Sequence, residues 1–171
     1  MRFNKLNLNK KQLKKSLIIF LLSLFLSFIA TYLLIKMSNP NIDSLDDLHV
    51  NKITFIGILA NNMLVCGFSL LGVFTFGITS FIVLVVNGIS LGFIIGANYA
   101  YTNHLWYFIR IIIPHIIFEL PAILISCSIG LEGISFLKKT TLKEKLIYAF
   151  SILILLIIAA FIEVNVSTLL V

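Results

Sequence analysis

The sequence predicts an all-α integral membrane bundle of five transmembrane helices, with its N-terminus inside. Three observations carry this. Hydrophobic residues make up 60% of the 171 positions and charged residues only 12%, against about 25% charged in globular domains, so the chain lacks the groups to cover a water-exposed surface. Five apolar stretches approach the ~20 residues that cross a hydrocarbon core. Ten of the thirteen basic residues fall in two segments, and four of the apolar stretches lie between them, which puts both segments on one side of a membrane. The net charge of +6 therefore reads as topology, and a nucleic-acid partner is not expected.

Residues 1–15 hold Arg2, Lys5, Lys10, Lys11, Lys14 and Lys15 with no acid, and read as a cytoplasmic basic arm. Residues 16–171 read as a single transmembrane helical domain. Span one covers about 16–35; no small-x-small cleavage site ends it, which argues against a simple signal peptide. Residues 38–52 are polar and turn-prone, with Pro40, Asp43, Asp46 and Asp47, and are expected outside, with Ser44 able to cap a short helix. Spans two and three, about 53–74 and 78–98, are joined by the uncharged TFGITS of residues 75–80. A tight hairpin and a re-entrant turn both fit that link. Asn103, His104 and Trp106 mark an outer interfacial belt before span four, about 107–130. Lys138, Lys139, Lys143 and Lys145 mark a second cytoplasmic segment, and span five runs from about 146 to 162, with a tail to Val171. The C-terminus then lies outside a bacterial cell membrane.

The informative positions are those that break the apolar pattern. Counting 1.5 Å per residue puts Asn61, Asn62, Asn87 and His115 near the midplane, where polar groups almost always face protein. On span four, His115, Glu119, Ala122, Ser126 and Gly130 recur every three or four residues and share a face. Pro114 and Pro121 bracket the His–Glu pair, and each removes a backbone donor and is able to kink the helix. Gly88, Gly92 and Gly96 form a doubled small-x-x-x-small run, with packing and substrate lining both open. The pair His115–Glu119 reads either as mutual structural satisfaction or as a working site: a proton carrier, a metal ligand set or a catalytic centre. Any metal is undetermined, since a third ligand from His49, His104 or Glu163 requires a loop or the end of span five to fold inward. Cys66 and Cys127 read as small packed hydrophobes.

These residues carry a resemblance. NGISLGFIIG (87–96), PHIIFELPAILISCSIGL (114–131) and IAAFIE (158–163) resemble the stage II sporulation protein M family of multi-pass membrane proteins. Matching its motifs residue by residue singles out Asn87, Gly88, Gly92, Pro114, His115, Glu119, Pro121, Ala122 and Glu163, and Asn62 is similar to the asparagine that opens the preceding family span. Ile116 or Ile117 stands where the family commonly has glycine, which puts close packing there in doubt. The resemblance covers about residues 53–165. It implies one of two roles. Founding members act in engulfment during endospore formation, as membrane anchors for a complex that remodels peptidoglycan. Other short members occur with circular bacteriocins, where they are implicated in maturation or export beside an ATPase. The short chain favours the second: a component of a complex with an ATPase or a second membrane subunit, a hydrophobic peptide as substrate, and homo-oligomerisation open. A third reading makes His115 base and Glu119 its partner in an intramembrane peptide-processing site, supported by Asn61, Asn62, Asn87, Ser126 and Glu163. That reading lacks a nucleophile: Ser126 lies about 16 Å along the axis from His115. Any cofactor is undetermined.

Overall fold

The computed structural model describes residues 9–38, 54–102 and 105–169, with backbone alone for 105–115 and 166–169. All described elements are helical: α1 (Lys10–Ser38), α2 (Phe55–Leu70) continued by a 3-10 turn (Leu71–Val73), α3 (Ile78–Thr102), α4 (Leu105–Glu132), the short α5 (Ile134–Lys139) and α6 (Leu142–Leu169). Among the described residues, four helices are long and apolar enough to cross a membrane: α1, α2 with its 3-10 turn, α3, and α6 as far as Asn165. The 28-residue α4 is the remaining long helix.

Local chemistry sets the helix starts. Asn9 accepts the Lys11 N–H at 3.1 Å, and Thr54 accepts the Gly57 N–H at 3.2 Å, both satisfying donors that a helix N-terminus leaves open. α6 opens on a capping box: the Thr141 N–H donates to Glu144 Oε2 at 2.7 Å and the Glu144 N–H returns to Thr141 Oγ1 at 3.3 Å. The α2–α3 turn needs left-handed backbone at Phe76 (φ 53°) and Gly77 (φ 84°), and the Gly77 N–H closes it on the Gly72 carbonyl at 2.8 Å. Glycine suits that conformation; Phe76 tolerates it with its ring 92% exposed. α1, α4 and α6 are longer at both ends than the apolar spans read from sequence, because polar residues such as Lys10 and Lys143 continue a helix once past the apolar core.

Contact pairs fix the helix directions. Gly88 meets Phe20 and Ser23, Gly92 meets Leu24 and Ser27, and Gly96 meets Phe28 and Thr31. Each step of one turn on α3 is a step of one turn on α1, so the two run parallel and in register. The Ser27 hydroxyl crosses between them, donating to the Ile89 carbonyl at 2.8 Å. α2 and α4 are also parallel, with Ser69 beside Cys127 and Gly72 beside Gly130. α2 and α3 are antiparallel across the turn, where Ser80 Oγ donates to the Ser69 carbonyl at 2.7 Å. α4 and α6 are antiparallel through the α5 hairpin, whose Phe136 and Tyr148 rings lie 5.7 Å apart. α4 touches every other long helix, and Ser126–Gly130 is buried on all sides. α1 is the opposite case: in its most apolar stretch only 11% of residues are buried, and its grip on the bundle is mainly the α3 glycine face.

Lys10 is level with Ile78 by the α1–α3 register, and Gly77 abuts Leu131. The four lysines in the first two turns of α1 (Lys10, Lys11, Lys14 and Lys15), the α2–α3 turn and the lysines of α5–α6 therefore share one end of the bundle, and Lys36 in the last turn of α1 lies at the other. At that end Lys139 pairs with Glu132 at 3.7 Å and Lys145 Nζ donates to the Leu137 carbonyl at 3.0 Å. The Phe28, Tyr32 and Tyr99 rings cluster toward the other end, Tyr32 and Tyr99 at 5.5 Å. The expected external loop 38–52, with His49, lies outside the described residues except for Ser38, as do Asn103 and His104.

Candidate functional site

A polar level crosses the middle of the bundle. Asn62 on α2 is 4% exposed, and its Nδ2 is fully buried with no hydrogen-bond partner. Among the described residues, its Oδ1 accepts only a long 3.5 Å contact from Asn61, which itself faces outward. Counting two turns back from the Ser69–Cys127 pair on the parallel α2 and α4 puts Asn62 level with Leu120, beside Glu119. Counting two turns from the Ser69–Ser80 hydrogen bond on the antiparallel α2 and α3 puts Asn87 level with Asn62. On α6, Ile152 lines the same cavity as Ile129 of α4; about eleven residues farther along each helix, Glu163 comes level with Phe118 and Glu119. Asn62, Asn87, Glu119 and Glu163 thus occupy one depth on four helices, about 15 Å from the α2–α3 turn, or half a hydrocarbon core.

The side chains at that depth are not equivalent. Glu119 and Glu163 are both engaged in polar or electrostatic interaction, and one Glu163 carboxylate oxygen is fully buried. Asn87 is half-buried and turns its amide back to the Val83 carbonyl of its own helix at 2.8 Å. It therefore leaves at most one amide N–H to offer a ligand. His115 sits on α4 one turn beyond Glu119, and its side chain is outside the described residues. Pro114 and Pro121 lie within one unbroken helix. Pro121 leaves the Ile117 carbonyl, next to the polar level, without its usual helical donor.

Below the polar level the seam narrows to small residues. Cys66, one turn from Asn62, is 3% exposed and lies between Ser126 and Glu119. Ala122 and Ser126 are fully buried, and Ser126 Oγ donates to the Ala122 carbonyl at 2.8 Å. Cys127 is equally buried and unoxidised. Ser128 Oγ is buried without a partner. Gly130 and Gly72 meet at the crossing of α2, α3 and α4, against Ser69 and Ser80. Gly88, Gly92 and Gly96 face α1 rather than this seam. Among the described residues, no three His, Cys, Asp or Glu side chains gather to hold a metal ion. Sequence reasoning passed over Cys66 as a seam residue, although its spacing of four from Asn62 places it on the same helix face.

An amide buried without a partner costs about 1–3 kcal/mol. Asn62→Leu, close in volume, is therefore expected to raise thermal stability in detergent while it reduces whatever the bundle does. A stability loss of more than 1 kcal/mol on that substitution would show Asn62 to be a structural bond-maker.

The fold and its buried seam define a membrane protein of apolar helices that carries carboxylates and amides inside the bundle. The stage II sporulation protein M family model matches residues 16–168, and the chain belongs to that family. An uncharacterized protein of Methanocaldococcus jannaschii is 31% identical over 166 residues, covering 89% of this chain and 91% of the relative. No solved structure matches.

Proposed function

We infer that the chain is a five-span component of a bacterial cell-membrane complex that matures or exports a hydrophobic, circular-bacteriocin-like peptide, with an ATPase or a second membrane subunit supplying energy. The observation that carries this reading is the single polar depth shared by Asn62, Glu119 and Glu163. A bundle held together by packing alone gains nothing from carboxylates at mid-membrane, and ionisable residues there mark pathways and working sites. An extended peptide backbone brings the carbonyl that the Asn62 amide lacks. The alternating directions of α1, α2, α3, α4 and α6, and the gathering of lysines at one end, support five spans with that end inside. Cysteines introduced near Asp46 and near Lys139 test it: an outside-only reagent is expected to label the first and spare the second, and the reverse pattern inverts the orientation.

A second reading, favoured by the family's own description, is a sporulation scaffold that holds a peptidoglycan hydrolase at the outer face. The neighbouring genes separate the two: a small apolar precursor beside an ATPase gene supports the first, a sporulation regulon the second. Within the first reading the seam either binds the peptide or processes it, with His115 as base and Glu119 as its partner.

The deciding experiment compares His115→Ala and Glu119→Gln with the parent protein at matched membrane levels, measuring mature product from a co-expressed precursor and recovery of partner subunits. Loss of product with partners retained is expected. Unchanged product from both variants reduces the pair to packing and removes the processing reading.

A further inference from the structure

We propose that the open groove between α1 and α3 holds one acyl chain of an anionic glycerophospholipid, with its headgroup on Lys15 and Lys11. The groove encloses about 550 Å³ between the α1 face from Ile19 to Ala30 and Phe81, Val85 and Ile89 of α3. Its only polar lining, the hydroxyls of Ser23 and Ser27, is turned away to the carbonyls of Phe20 at 2.9 Å and Ile89 at 2.8 Å. A polar ligand therefore finds no free donor in it, and an apolar chain loses nothing there. Its length along α1, eleven residues or about 16 Å, matches one leaflet, half of the roughly 30 Å hydrocarbon core.

The charge at its mouth selects the headgroup. Positions 15, 19, 22 and 26 follow one helix face, so Lys15 stands one turn from Ile19 at the groove's entrance, and Lys11 one turn beyond. Both are exposed. No acid stands among residues 1–15, so no neighbour on the same arm offsets the charge these ammonium groups offer a phosphate. A second copy in the same orientation would present the same lysines at the same depth, and that like-charge meeting disfavours a dimer on this face. The proposal is independent of what the Asn62–Glu119 seam does.

The test reconstitutes the protein in nanodiscs containing equal phosphatidylcholine and phosphatidylglycerol, extracts it in mild detergent and weighs it intact by native mass spectrometry. One retained phosphatidylglycerol is expected. Lys11→Gln/Lys15→Gln is expected to lower retention roughly 20–30-fold, about fivefold for each lysine near an anionic headgroup. Val85→Trp, or Leu22→Trp from the opposite wall, fills the groove and is expected to abolish retention with both lysines intact. Size-exclusion profiles confirm that each variant is folded. Retention of both lipids in the proportion supplied, retention indifferent to the lysine or tryptophan changes, or a lipid-free dimer each overturns the proposal.

Discussion

Gly92→Leu is expected to abolish recovery of monodisperse protein, while Gly67→Ala leaves yield and melting behaviour unchanged or slightly improved. The two glycines look alike in a sequence of apolar helices, and their surroundings are opposite. A Cβ at Gly92 would land inside contact distance of the Leu24 carbonyl oxygen, with Ser27 Cβ at 2.9 Å; at Gly67 nothing lies within 4 Å. The obstacle at Gly92 is backbone, which no rotamer change relieves. Gly88 and Gly96 repeat it, with the carbonyls of Phe20 at 2.8 Å and Phe28 at 2.7 Å. Even Gly92→Ala should cost about 1–3 kcal/mol, the range for overpacking, and Leu forces α1 off α3 altogether. Because α1 is otherwise mostly lipid-facing, that separation removes its main attachment. Between helices in lipid, close backbone approach is the chief source of affinity, so the loss is not repaired by hydrophobic burial. Fluorescence-detected size exclusion and thermal melts in one detergent measure both variants. Equal behaviour of Gly92→Ala and Gly67→Ala would mean that α1 is held some other way.

The partners of that glycine face were legible only on one side. Gly88, Gly92 and Gly96 advertise a smooth surface, but the sequence does not say which helix uses it or whether it lines a substrate path. The missing signal was in α1, where Ser23, Ser27 and Thr31 also recur at helical spacing and supply the matching small surface. They are easily overlooked in a stretch as apolar as SLIIFLLSLFLSFIATYLLI. Helix existence was readable because length and hydrophobicity decide it. Helix ends were less so, since the lysines that end an apolar run do not end a helix. The polar depth was readable only in part, for the opposite reason: Asn61, Asn62, Asn87 and His115 are costly in lipid and conspicuous against their neighbours, but the helix register sets Glu119 rather than His115 level with Asn62, and Asn61 faces outward. Their relations were not. That Asn87 bonds its own helix while Asn62 keeps an unpartnered amide depends on packing from α4 that no spacing rule contains. Cys66 entered the seam for a similar reason, through a parallel α2–α4 contact between residues sixty positions apart.

At the crossing of α2, α3 and α4, Ser80→Ala is expected to rescue Gly72→Ala and to fail with Gly130→Ala. Both glycines are buried at this crossing, and a Cβ on either would collide with Ser80 Oγ. For Gly72 that hydroxyl is the principal obstacle, because the next atoms are Gly130 Cα at 3.0 Å and its carbonyl carbon at 3.1 Å, a distance that a shift of a few tenths of an ångström relieves. For Gly130 a second obstacle is the Ser69 carbonyl oxygen. That oxygen also accepts the Ser80 hydroxyl at 2.7 Å, so removing the hydroxyl clears one collision and leaves the other. Gly130→Ala should therefore lose about 1–3 kcal/mol with or without Ser80→Ala, and the double-mutant coupling should be large for the Gly72 pair and near zero for the Gly130 pair. Ser80→Ala alone strips a buried carbonyl of one donor, a cost near 1 kcal/mol that sets the floor for any rescue. Chemical denaturation or thermal melts of the three single and two double variants, read against the parent in one detergent, give both couplings. Equal rescue of the two glycines would show that the helices slide apart at this crossing, and the polar level about 15 Å beyond it would then rest on a looser frame than these contacts describe.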